Sequence, residues 1–377
     1  MINFKKRVGI IGSTKKGAYG HGLDTAFTGL ASYEVVAVAD EDSTGLAAAG
    51  KRLGVSALYA DYHEMIAREK LDVVSIGPRW VTERVAMVEA AAAAGCHIFL
   101  EKPLAGNLRD ADDMLAACER AKVKCMMAHQ LHVVPPVQEA FAQIRAGRHG
   151  RVLRMYGQPS DDARGGGEEL IVHGAHFFDL MIALAGPPRW VSGHLAVGDR
   201  DVVLPDRREG REPVGPIAGD SAAVMIGFDG GARGFWNSTA NLDRGGVIYG
   251  LLIQCEKSTL LMRPGGDVYV YPAPAIAPER EDQAWKKIWV ESWHFTPEHQ
   301  LRPMKDFIHR GNQLLLQSFA HAIASGSEPP ASLRAAVYVT EIIQGAYASH
   351  FEGGKRLAIP LVEREHPLER GGDGKAE

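Results

Sequence analysis

A lysine at the end of a predicted strand is a candidate acid–base residue. Lys102 lies between Glu101 and Pro103, and this triplet directly follows the apolar run of residues 98–100. Ligands of parallel sheets bind at the carboxyl ends of the strands, so this side chain is expected to face the ligand crevice. Burial or a neighbouring positive charge lowers the pKa of a lysine toward the working pH, where it exchanges a proton with a substrate hydroxyl. A surface lysine at a strand end is the alternative interpretation.

A glycine-rich segment, residues 12–22, follows the first apolar run and precedes a predicted helix from about Leu23. Glycine lets a phosphate approach the backbone, and free N–H groups at a helix start stabilise an anion. The glycines do not have the G-x-G-x-x-G spacing, and a Walker A motif is excluded because Ala18 follows Gly17. Taken alone, the segment is equally consistent with a simple turn. Its candidate cofactor contacts are Gly12, Ser13, Thr14, Tyr19, Gly20 and His21.

Asp40 supports a dinucleotide site. It ends the second predicted strand and follows the glycine-rich segment at roughly the 20-residue offset expected of the acid that binds ribose hydroxyls. A carboxylate there accepts hydrogen bonds from the ribose and repels the 2′-phosphate of NADP, so NAD is the predicted cofactor. The alternative is a solvated acidic turn, because Glu41 and Asp42 are also acidic.

The elements that carry these residues alternate regularly. Over residues 7–130, short β-branched runs are separated by longer Ala- and Leu-rich periodic segments, with helices predicted at 82–94 and 108–121. Continuous apolar strands joined by helices indicate a parallel sheet covered on both faces. The sequence therefore predicts a doubly wound α/β domain, a Rossmann NAD-binding domain, at residues 1–130. The predicted strands are residues 8–11, 35–39, 73–76, 98–100 and 125–128.

The pattern changes after Pro135 and Pro136. Strand-like runs separated by Gly-rich turns indicate hairpins and a large, open, mostly antiparallel sheet. The sequence thus predicts a C-terminal α+β domain for substrate binding and oligomerisation at residues 131–362, and a mobile tail at 363–377. The strand-like runs are residues 151–156, 222–228, 232–237, 246–255, 259–262 and 268–271. The predicted helices are residues 137–146, 173–185, 312–324 and 333–350.

Composition limits the possible functions. The chain has 377 residues with 42 basic and 46 acidic side chains, a formal net charge of −4, and 46% apolar residues. These values are typical of a globular protein with a full core, and they argue against nucleic acid or an anionic membrane as the partner. Four cysteines without a C-x-x-C motif, together with no signal-peptide core and no membrane-spanning run, predict a cytoplasmic protein with reduced thiols.

The stretch around Lys102 resembles a known family. Glu101-Lys102-Pro103, with Ala-Ala-Gly-Cys-His before it and Leu-Ala after it, is similar to the Glu-Lys-Pro signature of the Gfo/Idh/MocA oxidoreductases. The order of the later motifs agrees over nearly the whole chain. The resemblance implies a dinucleotide fold followed by an open sheet domain. It also implies that Lys102 hydrogen-bonds the reacting hydroxyl beside the nicotinamide and moves its proton.

The resemblance implies further site residues. Gly174-Ala175-His176 resembles the Gly-x-His motif of the family, which makes His176 a second acid–base group or a hydroxyl partner. The family aspartate four residues earlier is replaced by Val172, so the proton relay is incomplete here. The implied cofactor contacts are Pro78, Trp80, Glu101, Lys102 and Gln130. The implied substrate contacts are His129, Arg164, His173, His176 and Asp179.

Some of these residues allow other interpretations. His173, His176 and Asp179 have the chemistry of metal ligands, but steps of three place them only loosely on one helical face, and no thiolate accompanies them. No metal is therefore predicted. His173 is equally consistent with a structural role in the core, with Glu168 and Glu169 just upstream.

The predicted function is an NAD-dependent oxidoreductase that oxidises or reduces a secondary hydroxyl or ketone of a sugar, polyol or glycoside. One alternative is a redox-neutral, NAD-dependent glycosidase, because residues 172–174 look similar to the Thr-His-Gly segment of that group, although those enzymes lack the lysine kept here at position 102. Another is a non-enzymatic NAD-sensing regulator, which needs neither Lys102 nor His176. An open sheet face is usually covered by another subunit, so a homodimer or homotetramer is expected.

Overall fold

The computed structural model describes residues 5–242, 249–277, 279–280, 282–303 and 306–369. These residues form two compact units. Unit 1 comprises the described parts of Met1–Gln130, Pro213–Gly215 and Asp306–Val337. Unit 2 comprises the described parts of Leu131–Glu212, Pro216–Lys305 and Tyr338–Glu377.

Unit 1 is built on a parallel sheet of six strands. The strands are β1 (Lys6–Ile11), β2 (Tyr33–Ala39), β3 (Ala57–Tyr59), β4 (Val73–Ile76), β5 (His97–Leu100) and β6 (Cys125–Met127). The helices between them are α1 (Ser43–Leu53), α2 (Tyr62–Arg68), α3 (Arg84–Ala93) and α4 (Leu108–Ala121). The strand order β3-β2-β1-β4-β5-β6 reverses between β1 and β4, where a doubly wound sheet opens its ligand crevice. The predicted Rossmann fold is confirmed.

Local sequence explains why these elements form where they do. All four residues of β4 are buried, as expected of a central parallel strand. Helix α1 begins after Asp42, whose carboxylate accepts a hydrogen bond from the Gly45 amide at 2.9 Å, and it ends at Gly54 in the left-handed conformation. Asn107 caps α4 in the same way. Capped helices and buried apolar strands thus determine where each strand ends. A ligand site can form at these strand ends.

Unit 2 is built on a ten-stranded sheet. Its helices are α5 (Pro135–Arg145), α6 (Gly167–Val172), α7 (Gly174–Ala185) and α8 (Glu291–His294). Its main strands are β7 (Val152–Gln158), β8 (Pro188–Val197), β12 (Ser221–Phe228), β13 (Arg233–Thr239), β14 (Gly250–Cys255), β15 (Thr259–Met262) and β16 (Val268–Tyr271). Its short strands are β9 (Arg200–Asp201), β10 (Arg208–Glu209), β11 (Pro216–Ile217), β17 (Lys286–Lys287) and β18 (Leu357–Ala358).

The large sheet has the order β17-β16-β15-β14-β7-β13-β12-β8-β18, with β9 paired to β8. Strands β7 and β13 run parallel, whereas the other pairs are antiparallel. Strands β10 and β11 form a separate two-stranded ribbon. The predicted α+β class with a large, mostly antiparallel sheet is therefore confirmed.

Three predicted elements differ in detail from the structure. The predicted helix 173–185 corresponds to α7, which begins one residue later at Gly174, and the short helix α6 that precedes it was not predicted. The predicted strand 246–255 begins at Gly250, and residues 246–248 lie outside the described residues. The part of the tail that is described, residues 363–369, is held in place because His366 and Leu368 are buried and His366 contacts the Tyr347 ring. Residues 370–377 of the predicted tail are not among those described.

The helix α9 (Phe307–Ser325) belongs to unit 1, whereas the sequence assigns it to the second domain, 131–362. Tyr33 donates its hydroxyl to the Leu316 carbonyl at 2.8 Å, and the Asn312 amide donates to the His21 carbonyl at 3.0 Å. Periodicity shows that α9 has an apolar face but not which surface that face covers. The following helix, α10 (Leu333–Phe351), starts in unit 1 and continues into unit 2. Within the described residues, no helix is both long and apolar enough to cross a membrane.

Candidate active site

The glycine-rich segment forms a tight hairpin rather than the start of a long helix. The Ser13 amide donates to the Ala18 carbonyl at 3.0 Å, and the Ala18 amide donates back at 2.8 Å. The predicted helix from about Leu23 is reduced to a 3-10 turn over Thr25–Phe27. Gly20 has a φ of 61°, and a Cβ atom there would lie 2.1 Å from Oε2 of Glu101. Only glycine allows this close approach of the hairpin to the end of β5.

Asp40 is 2% exposed and accepts hydrogen bonds from the glycine-rich segment. Its Oδ2 receives the hydroxyls of Thr14 at 2.7 Å and Tyr19 at 2.9 Å. Its Oδ1 receives the backbone amides of Thr14 at 3.2 Å and Asp42 at 3.0 Å. A carboxylate offers about four acceptor positions, so these contacts fill the capacity of Asp40. Burial and the hydrogen bond to this carboxylate raise the pKa of Tyr19 far above its ordinary value.

A cavity of ≈190 Å³ opens at the carboxyl ends of β1, β2 and β3. Its lining combines Gly12 and Ser13 with apolar and aromatic residues such as Tyr62 and Met87 and with four acids, Asp40, Glu41, Asp61 and Glu83. The ammonium group of Lys16 contacts Glu83 and lies 3.6 Å from Glu41. Glu41, Asp61 and Glu83 suit ribose hydroxyls, and the negative surround disfavours the extra phosphate of NADP. The residues present therefore fit NAD.

Glu101 is 0% exposed and ties the hairpin to the end of β5. Its carboxylate accepts the backbone amide of His21 at 2.7 Å, the His21 Nδ1 at 3.0 Å and the amide of Lys102 at 3.0 Å. Burial alone would raise the pKa of this carboxyl group, but the hydrogen bonds from His21 and the charge of Lys102 hold it below its ordinary value. Glu101 and His21 thus hold the hairpin at the end of β5, and their contacts with the cofactor stay predictions.

Lys102 lies two residues after the last residue of β5 and is 5% exposed. The Lys102–Pro103 peptide bond is cis. The buried guanidinium of Arg84 donates to the carbonyls of Pro78, at 2.6 Å, and Pro103, and burial lowers the pKa of Arg84 to about 10. Arg84 therefore holds together the two turns that follow β4 and β5. Arg84 was not predicted as a site residue, although a basic residue at the start of a mostly apolar, Ala-rich helix is a visible signal.

The remaining predicted residues of unit 1 lie at strand ends as expected. His129 and Gln130 are buried after β6, and a Cβ atom at Gly311 of α9 would lie 2.6 Å from the Cβ of Gln130. Trp80 is largely exposed after Pro78. The structure therefore brings Pro78, Lys102, His129 and Gln130 to the carboxyl ends of the three consecutive strands β4, β5 and β6.

In unit 2, Glu169 and His173 form a hydrogen-bonded pair on α6. The Nδ1 of His173 lies 2.8 Å from Oε1 of Glu169, and the carboxylate also accepts the hydroxyls of Ser160 and Ser238, each at 2.7 Å. Arg164 is paired with Asp162 at 2.7 Å and with Glu212 at 2.7 Å. Two carboxylates thus occupy the guanidinium that the sequence assigned to substrate.

A second carboxylate–histidine pair lies nearby in the chain. Asp179 is buried on α7, and its Oδ2 is 2.9 Å from Nδ1 of His132. The sequence missed His132, because nothing local shows that it reaches a residue 47 positions away. His176 lies on the first turn of α7 and is partly exposed. The described residues contain no cluster of three or more potential metal ligands.

A parallel sheet of this order, with a glycine-rich hairpin after β1 and an acid after β2, defines a dinucleotide-binding protein. The chain belongs to the Gfo/Idh/MocA family. The model for its "Oxidoreductase family, NAD-binding Rossmann fold" matches residues 6–129. The model for its "Oxidoreductase family, C-terminal alpha/beta domain" matches residues 156–359.

Individual relatives match over shorter stretches. D-apiose dehydrogenase of Paraburkholderia graminis is 40% identical over 117 residues, which are 31% of this chain and 31% of that protein. A glycosyl hydrolase family 109 protein of a Shewanella species (strain ANA-3) is 26% identical over 156 residues, 39% of this chain and 33% of that protein. The chain thus spans about a third of the length of these curated relatives.

Among solved structures, a levoglucosan dehydrogenase in complex with NADH and L-sorbose superimposes with a TM-score of 0.73. The superposition covers 95% of this chain and 100% of that chain, at 21% identity. At this identity the likeness shows the shared fold. Both halves of the chain therefore have the architecture that the resemblance implied.

Proposed function

We propose that the protein is an NAD-dependent oxidoreductase that interconverts a secondary hydroxyl and a ketone of a sugar, polyol or glycoside. The observation that carries the proposal is Lys102, which is buried at the carboxyl end of β5, within the Glu-Lys-Pro sequence of an NAD-binding Rossmann unit. The name of the Paraburkholderia relative, a dehydrogenase of the sugar apiose, supports the same chemistry.

Each candidate residue has a defined part in this proposal. Bound NAD supplies the redox chemistry by accepting or returning a hydride. Lys102 takes the hydroxyl proton on Nζ during oxidation and returns it during reduction. Glu101 and Arg84 hold the turn that carries Lys102, which keeps its side-chain amine in one place. His176 of unit 2 is proposed as a partner for a substrate hydroxyl, as the family resemblance implies.

The test is a panel of free sugars, inositols and glycosides, each incubated with NAD and followed at the same time for NADH and for released aglycone. Stoichiometric NADH with at least one secondary alcohol is the expected result. If no member of the panel gives NADH or aglycone while NAD still binds, the proposal fails and a regulator that senses NAD is favoured.

Lys102→Ala is predicted to lower kcat by at least about 100-fold, because the proton no longer has an acceptor. The dissociation constant for NAD, measured by calorimetry, should change little. The matched control is Lys51→Ala, which removes an exposed lysine from α1 of the same unit. A kcat near that of the wild type in Lys102→Ala would contradict the proposed role.

A second candidate function is an NAD-dependent, redox-neutral glycosidase. The observations that favour it are the segment Val172-His173-Gly174 and the glycosyl hydrolase family 109 relative. Retention of Lys102 counts against it. Release of aglycone without net NADH in the panel would favour the glycosidase, whereas stoichiometric NADH would exclude it. The cytoplasmic location and the homodimeric or homotetrameric assembly stay predictions from sequence.

A further inference from the structure

We propose that Cys118 and Cys125 form an oxidisable dithiol site in unit 1: a small hydroperoxide oxidises Cys118, and Cys125 then forms an intramolecular disulfide with it. All four cysteines of the chain are free and buried. Cys118 and Cys125 line a common cavity of ≈200 Å³, which is distinct from the cavity at the carboxyl ends of β1, β2 and β3. The dithiol site therefore does not depend on the proposed dehydrogenase reaction.

The turn between α4 and β6 brings the two cysteines together. Cys118 lies in the last turn of α4, and its carbonyl accepts the amide of Val123 at 3.0 Å and the amide of Lys122, the left-handed residue that ends the helix. Cys125 is the first residue of β6. Both side chains belong to the same hydrophobic core, and their thiols are hydrogen-bonded to each other. The two sulfurs are therefore neighbours before any bond forms.

The cavity gives a small reagent access to these sulfurs, although Cys118 and Cys125 are only 3% and 4% exposed. One wall is the end of α4 with the turn that follows it, and the other is the segment that precedes α10. That segment is attached to β6 by a hydrogen bond from the Met127 amide to the Ala331 carbonyl at 2.9 Å. Water occupies about 30 Å³ per molecule, so the cavity has room for hydrogen peroxide but not for a peptide disulfide.

The charged residues of the cavity favour a thiolate. The thiolate rather than the thiol reacts with an oxidant, and neighbouring lysine or arginine side chains promote its formation. Acidic residues in the lining pair with only part of this positive charge, as in the contact between Arg334 and Glu119. The basic residues of the lining are Lys122, Lys124 and Arg334, and the acidic residues are Glu119 and Glu328.

The bond between the sulfurs distinguishes Cys118 from the other thiols. The hydrogen bond from Cys125 lowers the pKa of Cys118 below its ordinary value, although burial acts in the opposite direction. The same hydrogen bond, together with burial, raises the pKa of Cys125. Burial raises the pKa of Cys96 and that of Cys255 to about 11. Cys118 is therefore assigned as the thiol that reacts first, and Cys125 as the thiol that resolves it.

The reaction balances without a further reagent. The Cys118 thiolate attacks one oxygen of hydrogen peroxide, the O–O bond breaks and an S–OH group forms, while the departing oxygen takes up the proton that the thiol released. The Cys125 sulfur then attacks the Cys118 sulfur, the S–O bond breaks, and the hydroxyl group leaves as water with the Cys125 proton. The two thiols lose two electrons and two protons, and the peroxide becomes two molecules of water.

Peptide mapping of the wild type is the first test. The protein is treated with hydrogen peroxide, denatured with iodoacetamide present to block the remaining thiols, and digested with trypsin. Cleavage after Arg120, Lys122 and Lys124 puts the two cysteines on separate peptides, residues 110–120 and 125–145. We expect a cross-link between these two peptides that dithiothreitol reverses.

The other two cysteines are the internal controls for this experiment. Cys96 donates its thiol to the Leu71 carbonyl at 3.3 Å, and Cys255 is 0% exposed. Both should carry the blocking group after the peroxide treatment. Oxidation of Cys96 and Cys255 as fast as that of Cys118, or oxidation of Cys118 without the cross-link, would overturn the inference.

Serine variants separate the roles of the two thiols. Cys125→Ser should leave Cys118 as a sulfenic acid that dimedone traps and that excess peroxide converts to the sulfinic acid. Cys118→Ser should slow the oxidation of Cys125 by at least about tenfold. The matched control, Cys255→Ser, removes a buried thiol of unit 2 and should form the cross-link at the wild-type rate. Oxidation of Cys125 at the wild-type rate in a folded Cys118→Ser protein would contradict the assigned roles.

The class of oxidant is tested by comparing hydrogen peroxide with oxidised glutathione, a peptide disulfide. The ratio of the two oxidation rates is measured for the folded protein and for the free peptide of residues 110–120, which corrects for the intrinsic reactivity of each oxidant. Because the cavity excludes the larger reagent, the ratio should favour peroxide in the folded protein by at least about tenfold more than in the peptide. Equal ratios would show that the cavity does not select small oxidants and would refute the assigned class.

Discussion

Buried acids serve different purposes in the two units. In unit 1, Asp40 and Glu101 accept hydrogen bonds mainly from the glycine-rich hairpin and from backbone amides that flank the strand ends. In unit 2, Glu169 and Asp179 each hold the Nδ1 of a histidine, His173 and His132. Glu101 in unit 1 also binds a histidine, His21, but its carboxylate accepts hydrogen bonds from the backbone amides of His21 and Lys102 as well. A carboxylate–histidine pair therefore does not by itself indicate a catalytic or binding site. The other hydrogen-bond partners of the acid show which role the acid has.

The largest expected effect that tests this comparison is on stability. Glu101→Ala removes the acceptor of three donors, the buried amide of Lys102 and the part-buried amide and imidazole of His21. We predict a loss of about 3 kcal/mol or more in the free energy of unfolding, with loss of NAD binding as the hairpin detaches from β5. Urea denaturation and an NAD titration measure the two effects.

The control for Glu101→Ala is Glu119→Ala in the same unit. Glu119 pairs with Arg334 at the surface, and both side chains are more than half exposed. Its removal should change the free energy of unfolding far less. If Glu101→Ala kept both its stability and its NAD affinity, the acids of unit 1 would not order the hairpin, and the contrast with unit 2 would disappear.

Local patterns were enough to predict the framework of unit 1. Continuous apolar runs predicted five of the six strands and missed only the short β3, and the residues that follow them, such as Asp40 and Lys102, had to lie at the carboxyl edge. The roles of Glu101 and Glu169 were not predictable in this way, because their partners are distant in sequence. Glu101 reaches His21 across 80 positions, and Glu169 reaches Ser238 across 69. Contacts of this kind depend on the packed fold rather than on periodicity.

The pH dependence of stability gives a second, smaller test. The pKa values of Glu101 and Glu169 lie below their ordinary values in the folded protein. Their stabilising contribution is therefore complete above the unfolded pKa of about 4.3 and is lost as the pH falls through the lower, folded value. Urea denaturation between neutral pH and acid should show a falling free energy of unfolding.

Glutamine variants assign this acid sensitivity to the two units. Glu101→Gln and Glu169→Gln cannot be protonated, so each should show a shallower fall than the wild type, whereas Glu119→Gln should follow the wild-type curve. A shallower fall in only one of the two variants would show that just one of these acids is stabilised in its ionised form. A wild-type slope in both would contradict the proposed electrostatics of both pairs.

The smallest expected effect concerns Asp40, the second buried acid of unit 1. Tyr19→Phe removes one of its four donors and should lower the free energy of unfolding by about 1–2 kcal/mol. Because an acceptor position of Asp40 then becomes available to a ribose hydroxyl, NAD affinity should be kept or increased. Tyr59→Phe, which removes a hydroxyl bound to Glu69 at 3.0 Å, is the control. Weaker NAD binding in Tyr19→Phe alone would mean that Tyr19 belongs to the binding surface itself, and that Asp40 holds a ligand-binding side chain as well as the hairpin backbone.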